Sequence, residues 1–289
     1  MNSILEQDYR PIEIIIVDDG STDNTREIIE SICLSTPGVI VPVHQNNQGA
    51  GKARQAGLEQ AQGEFIQYLD SDDTILPGKF SVQVKLLSSN PDCSMALGLT
   101  RGIPMNTGAG KSAEGSLEHS DYLYPSILNY RWWTTSTPLY RSEAAHYAHW
   151  ADATVLEDWD YEFQIAARGV KYCFNPVYVV DKSDDADDQL SQYKTSKREL
   201  WLESKARVMT NIASQIREFD LDRRNENFTR FINKIIKTGE EALEYSRADI
   251  SKQMAALAVR SMKQNLRLNF IKRIMILHAH ILLPGKKKN

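Results

Sequence analysis

The sequence contains little cysteine and no long apolar segment. Its three cysteines, Cys33, Cys93 and Cys173, are odd in number and far apart, so they predict neither a disulfide framework nor a cysteine metal site. No apolar run is long enough to form a membrane-spanning helix. The first ten residues include acidic side chains and lack the apolar core of a secretory signal. These absences favour free thiols in a reducing compartment, which we interpret as the cytoplasm.

Acidic residues are missing from the C-terminal segment, residues 250–289. That segment holds nine of the 34 lysines and arginines but none of the 38 aspartates and glutamates. Its apolar side chains recur at approximately helical spacing, which predicts a basic amphipathic helix. Such a helix can lie on an anionic membrane surface, or it can pack on the protein with its basic face in water. No aromatic and basic platform for nucleic acid is present, so we expect no nucleic-acid partner.

Strand and helix patterns alternate along residues 12–101. Apolar runs predict strands at 12–17, 39–43, 64–69 and 94–99, and helices are predicted between them at 23–34, 50–61 and 79–88. This alternation predicts an α/β fold with a mixed, mostly parallel sheet.

Later segments complete this pattern. A loop is expected at 102–120, strands at 137–140 and 171–180, and a helix at 157–168. The pattern is helical after an Asp-rich stretch at 181–188. We therefore predict an α/β domain at residues 1–184 and a helical region at 185–289.

Two acidic turns follow the strands predicted at 12–17 and 64–69: Asp18-Asp19-Gly20-Ser21-Thr22-Asp23 and Asp70-Ser71-Asp72-Asp73. Open α/β sheets bind ligands at the carboxyl ends of their strands. Carboxylates there can hold a nucleoside by hydrogen bonds or a divalent metal by oxygen ligands. Ser21 or Thr22 would cap the helix predicted after the first turn. The second turn can also be a simple helix cap, although three carboxylates in four residues repel one another unless a cation balances them.

A third acidic pair, Glu157-Asp158, has two interpretations. Thr154 and Glu157 have the spacing of a capping box, and acidic residues suit the first turn of a helix. Asp158 also precedes Trp159 and follows an aromatic-rich stretch at 130–133. A partly desolvated carboxylate near aromatic rings can serve as a general base, and aromatic faces suit sugar rings.

Taken in order, these segments resemble the family 2 glycosyltransferases, which have the GT-A nucleotide-sugar-binding fold. The matching segments are Ile14-Ile15-Ile16-Val17-Asp18-Asp19-Gly20-Ser21-Thr22-Asp23, Asn47-Gln48-Gly49, Ala53-Arg54-Gln55-Ala56-Gly57, residues 61–73 and Glu157-Asp158-Trp159-Asp160. The resemblance covers roughly residues 3–180, and it is the ordered set that is specific.

The resemblance implies a role for each matching residue. It implies nucleotide binding by Asp18, Asp19, Arg54 and Asp70, metal binding by Asp72, and a catalytic base at Asp158. Candidates for the acceptor side are Trp132, Trp133, Glu157 and Trp159. The implied enzyme is an inverting glycosyltransferase that uses Mg²⁺ or Mn²⁺ and a nucleotide-diphosphate sugar donor.

The implied acceptor is the hydroxyl of a glycan or a lipid-linked acceptor, in surface polysaccharide or glycolipid synthesis. We expect a cytoplasmic protein with peripheral contact to the inner membrane face through the basic C-terminal helix. Processive members of the family have Gln-x-x-Arg-Trp, which residues 164–169 lack, so one sugar per event is expected. No histidine occurs in 181–191 to contact metal or diphosphate.

The N-terminus departs from the family pattern. Residues 3–9 resemble the end of the first helix, so the usual first strand and its turn are expected to be missing. This departure leaves an alternative, a GT-A remnant without catalysis that acts as an interaction protein. A sugar-nucleotide pyrophosphorylase would need a Gly-rich triphosphate loop near the N-terminus, which the sequence lacks.

Overall fold

The computed structural model describes residues 1–102, 119–129, 131–153, 155–182 and 197–262. The chain divides into two compact units, one formed by Met1–Asp152 with Glu157–Asp188 and the other by Ala153–Leu156 with Gln189–Asn289. The domain boundary predicted at 184/185 lies outside the described residues, and it stays a prediction. The predicted loop is likewise outside them for residues 103–118.

The first unit alternates strands and helices. In chain order its elements are α1 (Asn2–Leu5), β1 (Ile14–Asp19), α2 (Thr25–Ser35), β2 (Ile40–Gln45), α3 (Ala50–Gln60), β3 (Phe65–Ile66), β4 (Thr74–Ile75), α4 (Lys79–Ser89), β5 (Cys93–Arg101), β6 (His119–Tyr122), a 3₁₀ turn (Ser126–Leu128), β7 (Leu139–Arg141), α5 (Ser142–Ala145), α6 (Glu157–Ala166) and β8 (Lys171–Asp181). The predicted α/β class is confirmed.

The strands form a parallel pair and a larger mixed sheet. β1 pairs with β2 in parallel, with Ile14 opposite Ile40 and Asp19 opposite Gln45. The larger sheet has the order β3-β7-β5-β8-β4, and β6 pairs with β8. Within it β5 and β8 are parallel, whereas β7, β4 and β6 run antiparallel to their partners. The expected parallel direction therefore holds for β1-β2 and β5-β8, and the remaining described pairs are antiparallel.

The strand predicted at 64–69 makes ladder pairs only over Phe65–Ile66. After Ile66 the chain no longer pairs with β7, and two groups of residues 67–70 form hydrogen bonds with Ser136 instead. The Gln67 side-chain amide donates to the Ser136 carbonyl oxygen at 2.8 Å, and the Asp70 N–H donates to Ser136 Oγ at 3.1 Å. These bonds hold the second acidic turn against the segment that precedes β7.

The predicted cap of α2 is wrong. The helix begins at Thr25, after Asn24, and the Thr25 N–H donates to Asp23 Oδ1 at 3.0 Å. Ser21 is not at the helix start because its N–H donates back to Asp18 Oδ1 at 2.9 Å. The first acidic turn is therefore a compact structure of its own between β1 and α2.

A buried apolar cluster supports the larger sheet. It combines α4 with the adjoining strands through Leu86, Leu87, Cys93, Ala96, Leu139 and Cys173. Cys93 and Cys173 are buried free thiols, and burial raises the pKa of the Cys173 thiol. The N-terminal segment packs against the start of α4. Gln7 Nε2 donates to the Leu76 carbonyl oxygen at 3.0 Å, and Gln7 Oε1 accepts from the Phe80 N–H at 3.3 Å.

The second unit contains three described helices: α7 (Arg198–Glu218), α8 (Glu226–Glu244) and α9 (Ala248–Ser261). In α9 the apolar residues of the predicted basic helix are buried, with Ile250, Met254 and Leu257 at most 4% exposed. These three side chains are therefore core residues and are not available to a membrane. The rest of that predicted helix, residues 263–289, lies outside the described residues. None of the helices that the structure describes is long and apolar enough to span a bilayer.

Candidate active site

The second and third acidic motifs meet at one guanidinium group. Arg54 Nη2 donates to Asp70 Oδ1 and Arg54 Nη1 donates to Glu157 Oε1, both at 2.7 Å. The Arg54 guanidinium also lies over the Trp150 ring, 4.8 Å from its centroid. Burial alone would lower the pKa of Arg54, but the Asp70 and Glu157 carboxylates outweigh burial and raise it. The sequence-predicted residues Arg54, Asp70 and Glu157 therefore form one cluster.

Glycine at position 51 lets the helix that carries Arg54 approach this cluster. A Cβ on Gly51 would lie 2.7 Å from the Ala151 carbonyl oxygen and within 3.7 Å of the Glu157 side chain. Gly49, at the N-terminus of α3, has a φ of +90°, a conformation that side chains disfavour. Gly51 thus allows α3 to lie close to the start of α6, and Gly49 allows the backbone conformation at which α3 begins.

Asp18 and Asp19 lie at the carboxyl end of β1 and bond to the protein itself. Asp18 is buried, and its Oδ2 lies 3.3 Å from His44 Nδ1. Hydrogen bonds from the hydroxyl and N–H of Ser21, with His44 as a smaller contribution, lower the pKa of Asp18 to about 2. A carboxylate of this kind is ionised at every pH at which the protein would work.

Asp19 organises the loop between β2 and α3. Its Oδ1 accepts hydrogen bonds from Gln45 Nε2 and from the Gln48 N–H, both at 2.8 Å, and its Oδ2 accepts one from the Gly49 N–H at 2.7 Å. The carboxylate is half-buried. It therefore connects the end of β1 to the loop that leads to α3 and Arg54.

The turn after β3 carries three carboxylates in different surroundings. Asp70 is paired with Arg54, Asp72 is exposed, and Asp73 is half-buried. Burial raises the pKa of Asp73 to about 6, and the negative charges of Asp70 and Asp72 add to the rise, while a hydrogen bond with Ser136 opposes it. The turn therefore concentrates negative charge beside the sheet edge.

No three His, Cys, Asp or Glu side chains in the described ranges converge into a preformed metal site. The donor set nevertheless suits Mg²⁺ or Mn²⁺, because both prefer oxygen ligands and both accept ligands from a bound phosphate. Asp72 offers an exposed carboxylate, and the negative charges of Asp70 and Asp72 add to the burial that raises the pKa of Asp73. A cation would offset these neighbouring charges. The residues present therefore fit a metal that is completed by substrate oxygens.

Asp158 is held by groups that sequence analysis did not identify. Arg131 Nη1 donates to Asp158 Oδ2 at 2.5 Å, and Thr135 Oγ1 donates to the same oxygen at 3.2 Å. Burial would lower the pKa of Arg131, but the Asp158 and Glu162 carboxylates raise it. The side chain of Asp158 is 22% exposed, so part of the carboxylate remains open to solvent.

Glu162 fixes Arg131 from the interior. It accepts hydrogen bonds from Arg131 Nε at 2.7 Å and Nη2 at 3.2 Å. It also accepts from Trp133 Nε1 at 2.9 Å and from the Tyr140 hydroxyl at 2.8 Å. Glu162 is 1% exposed, and this set of donors compensates the burial of its charge.

Three of the four acceptor-side candidates are buried. Trp133 and Trp159 are 5% and 8% exposed, and Trp159 Nε1 donates to the Ile127 carbonyl oxygen at 2.8 Å. Glu157 is 6% exposed and is paired with Arg54. Trp132 is half-buried, in edge contact with Trp133 at 5.2 Å and with Phe174 at 5.3 Å between ring centroids.

Sequence analysis missed four residues of this site: Arg131, Thr135, Ser136 and Glu162. For the first three, the signal is the run Arg131-Trp132-Trp133-Thr134-Thr135-Ser136, which places a cation and three hydroxyls just before the strand predicted at 137–140. Thr154 of the capping box and residues 183–188 of the Asp-rich stretch predicted at 181–188 lie outside the described residues.

The sequence profile described as Glycosyl transferase family 2 matches residues 1–149. A glycosyltransferase of Nostoc sp. (strain PCC 7120) is 43% identical over 90 residues, which are 31% of this chain and 28% of that protein. A GalNAc(5)-diNAcBac-PP-undecaprenol beta-1,3-glucosyltransferase of Campylobacter jejuni is 37% identical over 82 residues, 28% of this chain and 26% of that protein. The aligned segments thus span less than a third of these curated relatives.

Two solved structures have a similar fold. Staphylococcus aureus TarS 1-349, in complex with UDP-GlcNAc, matches with a TM-score of 0.63 at 19% identity, over 99% of this chain and 88% of that one. The mannosyltransferase PcManGT from Pyrobaculum calidifontis, in complex with GDP-Man and Mn²⁺, matches with a TM-score of 0.52 at 14% identity, over 99% and 82%. At these identities the likeness shows the fold, and it confirms the α/β architecture followed by helices.

Proposed function

The chain belongs to the family 2 glycosyltransferases, and on this premise we propose that it transfers one sugar from a nucleotide-diphosphate sugar to an acceptor hydroxyl with inversion. The observation that carries the proposal is the Arg54 bridge between Asp70 and Glu157. It joins a strand-end carboxylate of the donor side to the acidic pair that contains the proposed base. Residues far apart in sequence are thus joined in one cluster, as a single-displacement reaction requires.

Asp18, Asp19, Arg54 and Asp70 form the proposed nucleotide side. Asp19 already accepts three hydrogen bonds from the end of β2 and the β2–α3 loop. We propose that it shapes this loop and contacts the nucleobase through the remaining lone pair on Oδ2. Asp18 supports the same turn from its buried position. Arg54 and Asp70 would contact the diphosphate and ribose.

The charge of the site supports a divalent cation. Among the described residues, the site has six carboxylates: Asp70, Asp72, Asp73, Glu157, Asp158 and Glu162. They face the guanidinium groups of Arg54 and Arg131 and, near Asp73, the ammonium group of Lys182. A diphosphate carries negative charge of its own, so its approach to this cluster is unfavourable without a cation. Asp72 would hold Mg²⁺ or Mn²⁺, with Asp73 beside it. The metal would supply Lewis-acid stabilisation of the departing diphosphate.

Asp158 is the proposed general base. As the acceptor oxygen forms its bond to C1 of the sugar, Asp158 takes the hydroxyl proton and the C1–oxygen bond to the diphosphate breaks. Attack from the face opposite the leaving group inverts the anomeric centre. Trp132 is the acceptor-side candidate that we retain, because its ring is only half-buried, whereas Trp133, Trp159 and Glu157 are engaged in the interior.

The acceptor class is proposed from the name of one relative. The Campylobacter jejuni relative is named for a lipid-linked acceptor, which supports a glycan or lipid-linked acceptor here. Peripheral contact with the inner membrane face, and a cytoplasmic location, stay predictions, because the basic residues 263–289 lie outside the described structure.

Calorimetric titration with UDP and GDP, with and without Mn²⁺, tests the proposal. We expect one nucleotide to bind and its affinity to depend on Mn²⁺, because Asp72 would hold a cation that offsets the negative charge of the diphosphate. Asp72→Asn should abolish the metal dependence. Asp92→Asn, which alters an exposed carboxylate paired with Lys171, should leave it unchanged. A folded protein that binds neither nucleotide would contradict the proposal and favour the non-catalytic remnant.

A further inference from the structure

We infer that Arg131 and Thr135 clamp Oδ2 of Asp158, so that Oδ1 is the oxygen that accepts the proton from the acceptor hydroxyl. This inference rests on the proposed function, because it takes Asp158 as the base. It adds two positioning residues and assigns one atom of the base to the proton transfer.

The clamp follows from the distribution of donors around the Asp158 carboxylate. Oδ2 accepts from Arg131 Nη1 at 2.5 Å and from Thr135 Oγ1 at 3.2 Å. Oδ1 accepts only from the N–H of the next residue, Trp159, at 2.7 Å among the described residues. A carboxylate oxygen has two lone pairs, so Oδ2 is saturated and Oδ1 has a lone pair left.

The interior holds Arg131 independently of Asp158. Its Nε and Nη2 donate in parallel to the two oxygens of Glu162, a bidentate geometry that restricts the guanidinium plane. Glu162 is itself fixed by Trp133 and Tyr140. The Nη1 group that reaches Asp158 is therefore presented by a rigid, buried support, and the base is oriented before any substrate binds.

A second contact of the same segment links the clamp to the donor side. Ser136, next to Thr135, accepts from the Asp70 N–H at 3.1 Å. Thr135 also lies 3.4 Å from Arg131 Nη2. One short segment before β7 thus contacts both Asp158 and the acidic turn that carries Asp72. We expect these contacts to limit changes in the distance between the proposed base and that turn.

During the proposed reaction Arg131 forms and breaks no covalent bond. The acceptor O–H proton moves to Asp158 Oδ1, the acceptor oxygen bonds to C1, and the electron pair of the broken C1–oxygen bond leaves with the diphosphate. Oδ2 keeps its contacts with Arg131 and Thr135 throughout. The protonated Asp158 returns its proton to water after the product leaves. Arg131 and Thr135 touch no reacting atom, so they act by positioning.

The test measures hydrolysis of a sugar nucleotide, with water as the acceptor. UDP-GlcNAc and GDP-Man serve as probes, and release of UDP or GDP is followed with Mn²⁺ present. We expect Arg131→Gln to lower turnover about 100-fold, the size of effect that misplacement of a catalytic group produces, with the KM of the probe changed by less than about threefold. Arg101→Gln, which alters an exposed arginine paired with Asp181, is the control and should hydrolyse normally.

Thr135 offers a matched pair of variants at a buried position. Thr135→Val removes the hydroxyl and keeps the shape, so turnover should fall up to about tenfold, the value of one hydrogen bond. Thr135→Ser keeps the hydroxyl and should retain most of the turnover. Guanidinium ion added to Arg131→Ala should restore part of the lost turnover, which a purely structural role of Arg131 would not produce.

The stability of the folded protein tests the hydrogen bond between Thr135 and Asp158 without any measurement of turnover. In urea unfolding, the midpoint shifts of Thr135→Val and Asp158→Ala should be non-additive, because both remove the hydrogen bond between Thr135 and Asp158. Additive shifts, or normal turnover in Arg131→Gln, would overturn the clamp. Non-additive shifts in a protein that hydrolyses neither probe would instead overturn the proposed base role and leave the clamp as a structural contact.

Discussion

Arg54 is the side chain whose removal we expect to destabilise the protein most directly. It is 16% exposed and donates to Asp70 and Glu157 at 2.7 Å each. Replacing it by methionine keeps much of the apolar stem and removes the charge. We expect Arg54→Met to lower the free energy of unfolding by about 3–5 kcal/mol, the usual effect of removing one partner from a buried ion pair.

Most of this loss should come from Glu157. The Glu157 side chain is 7% exposed, whereas that of Asp70 is 32% exposed, so water can solvate Asp70 but not Glu157 when the guanidinium is gone. Burial and the charge of Asp158 already raise the pKa of Glu157, and Arg54 opposes that rise. The contact of Arg54 with Trp150 adds about 0.5–1 kcal/mol.

Urea unfolding followed by tryptophan fluorescence measures the effect near neutral pH. Adding Glu157→Gln to Arg54→Met should recover most of the loss, because the uncompensated buried charge is then removed. Adding Asp70→Asn should recover much less. Arg101→Met, which breaks an exposed pair with Asp181, should cost less than about 1 kcal/mol. A loss below about 1 kcal/mol for Arg54→Met would refute the buried-pair reasoning.

Three further predictions concern other parts of the first unit. Burial raises the pKa of Asp73 from 3.8 to about 6, so between these values the folded protein binds a proton that the unfolded chain releases. Stability should therefore fall as the pH rises through this window, and a series of urea midpoints should show that Asp73→Asn removes the fall. Gly20 has a φ of +77°, and a Cβ there would lie 2.7 Å from a backbone nitrogen. Gly20→Ala should therefore lower the melting temperature and weaken nucleotide binding. The control is Gly38→Ala, at an open position with φ +80°, which should leave nucleotide binding unchanged. In the native protein a thiol reagent should modify the half-buried Cys33 far faster than the two buried thiols, Cys93 and Cys173, and comparable rates in native and urea-unfolded protein would contradict their burial.

The positions of the acidic motifs could be predicted because they depend on local patterns. A strand followed by Asp-Asp-Gly indicates a turn at the carboxyl end of a sheet, and the structure has Asp18 and Asp19 at the end of β1. The helix predicted at 157–168 places Glu157 and Asp158 in its first turn, where the structure also has them. Strong periodicity and acidic turns are local features, so each can be recognised within a single segment of the sequence.

The contacts between motifs could not be predicted in the same way. Arg131 lies 27 residues from Asp158 and 31 from Glu162, and no periodicity links positions that meet only in the folded chain. The aromatic stretch was interpreted as a neighbour of Asp158, and Arg131 within it does contact that carboxylate; the site itself stays a prediction. The aromatic stretch did not show that Trp133 donates to a buried carboxylate, because burial depends on the neighbouring elements and not on residue type.

The two arginines make the site behave as one electrostatic unit. Each guanidinium is shared by two carboxylates, Arg54 by Asp70 and Glu157 and Arg131 by Asp158 and Glu162. Glu157 and Asp158 are consecutive, and the charge of Asp158 raises the pKa of Glu157. If the proposed donor binds here, a diphosphate that draws Arg54 away would leave Glu157 less compensated and would change the electrostatic field at Asp158. Effects of substitutions in this cluster should therefore not add, and double-mutant cycles are the appropriate way to apportion them.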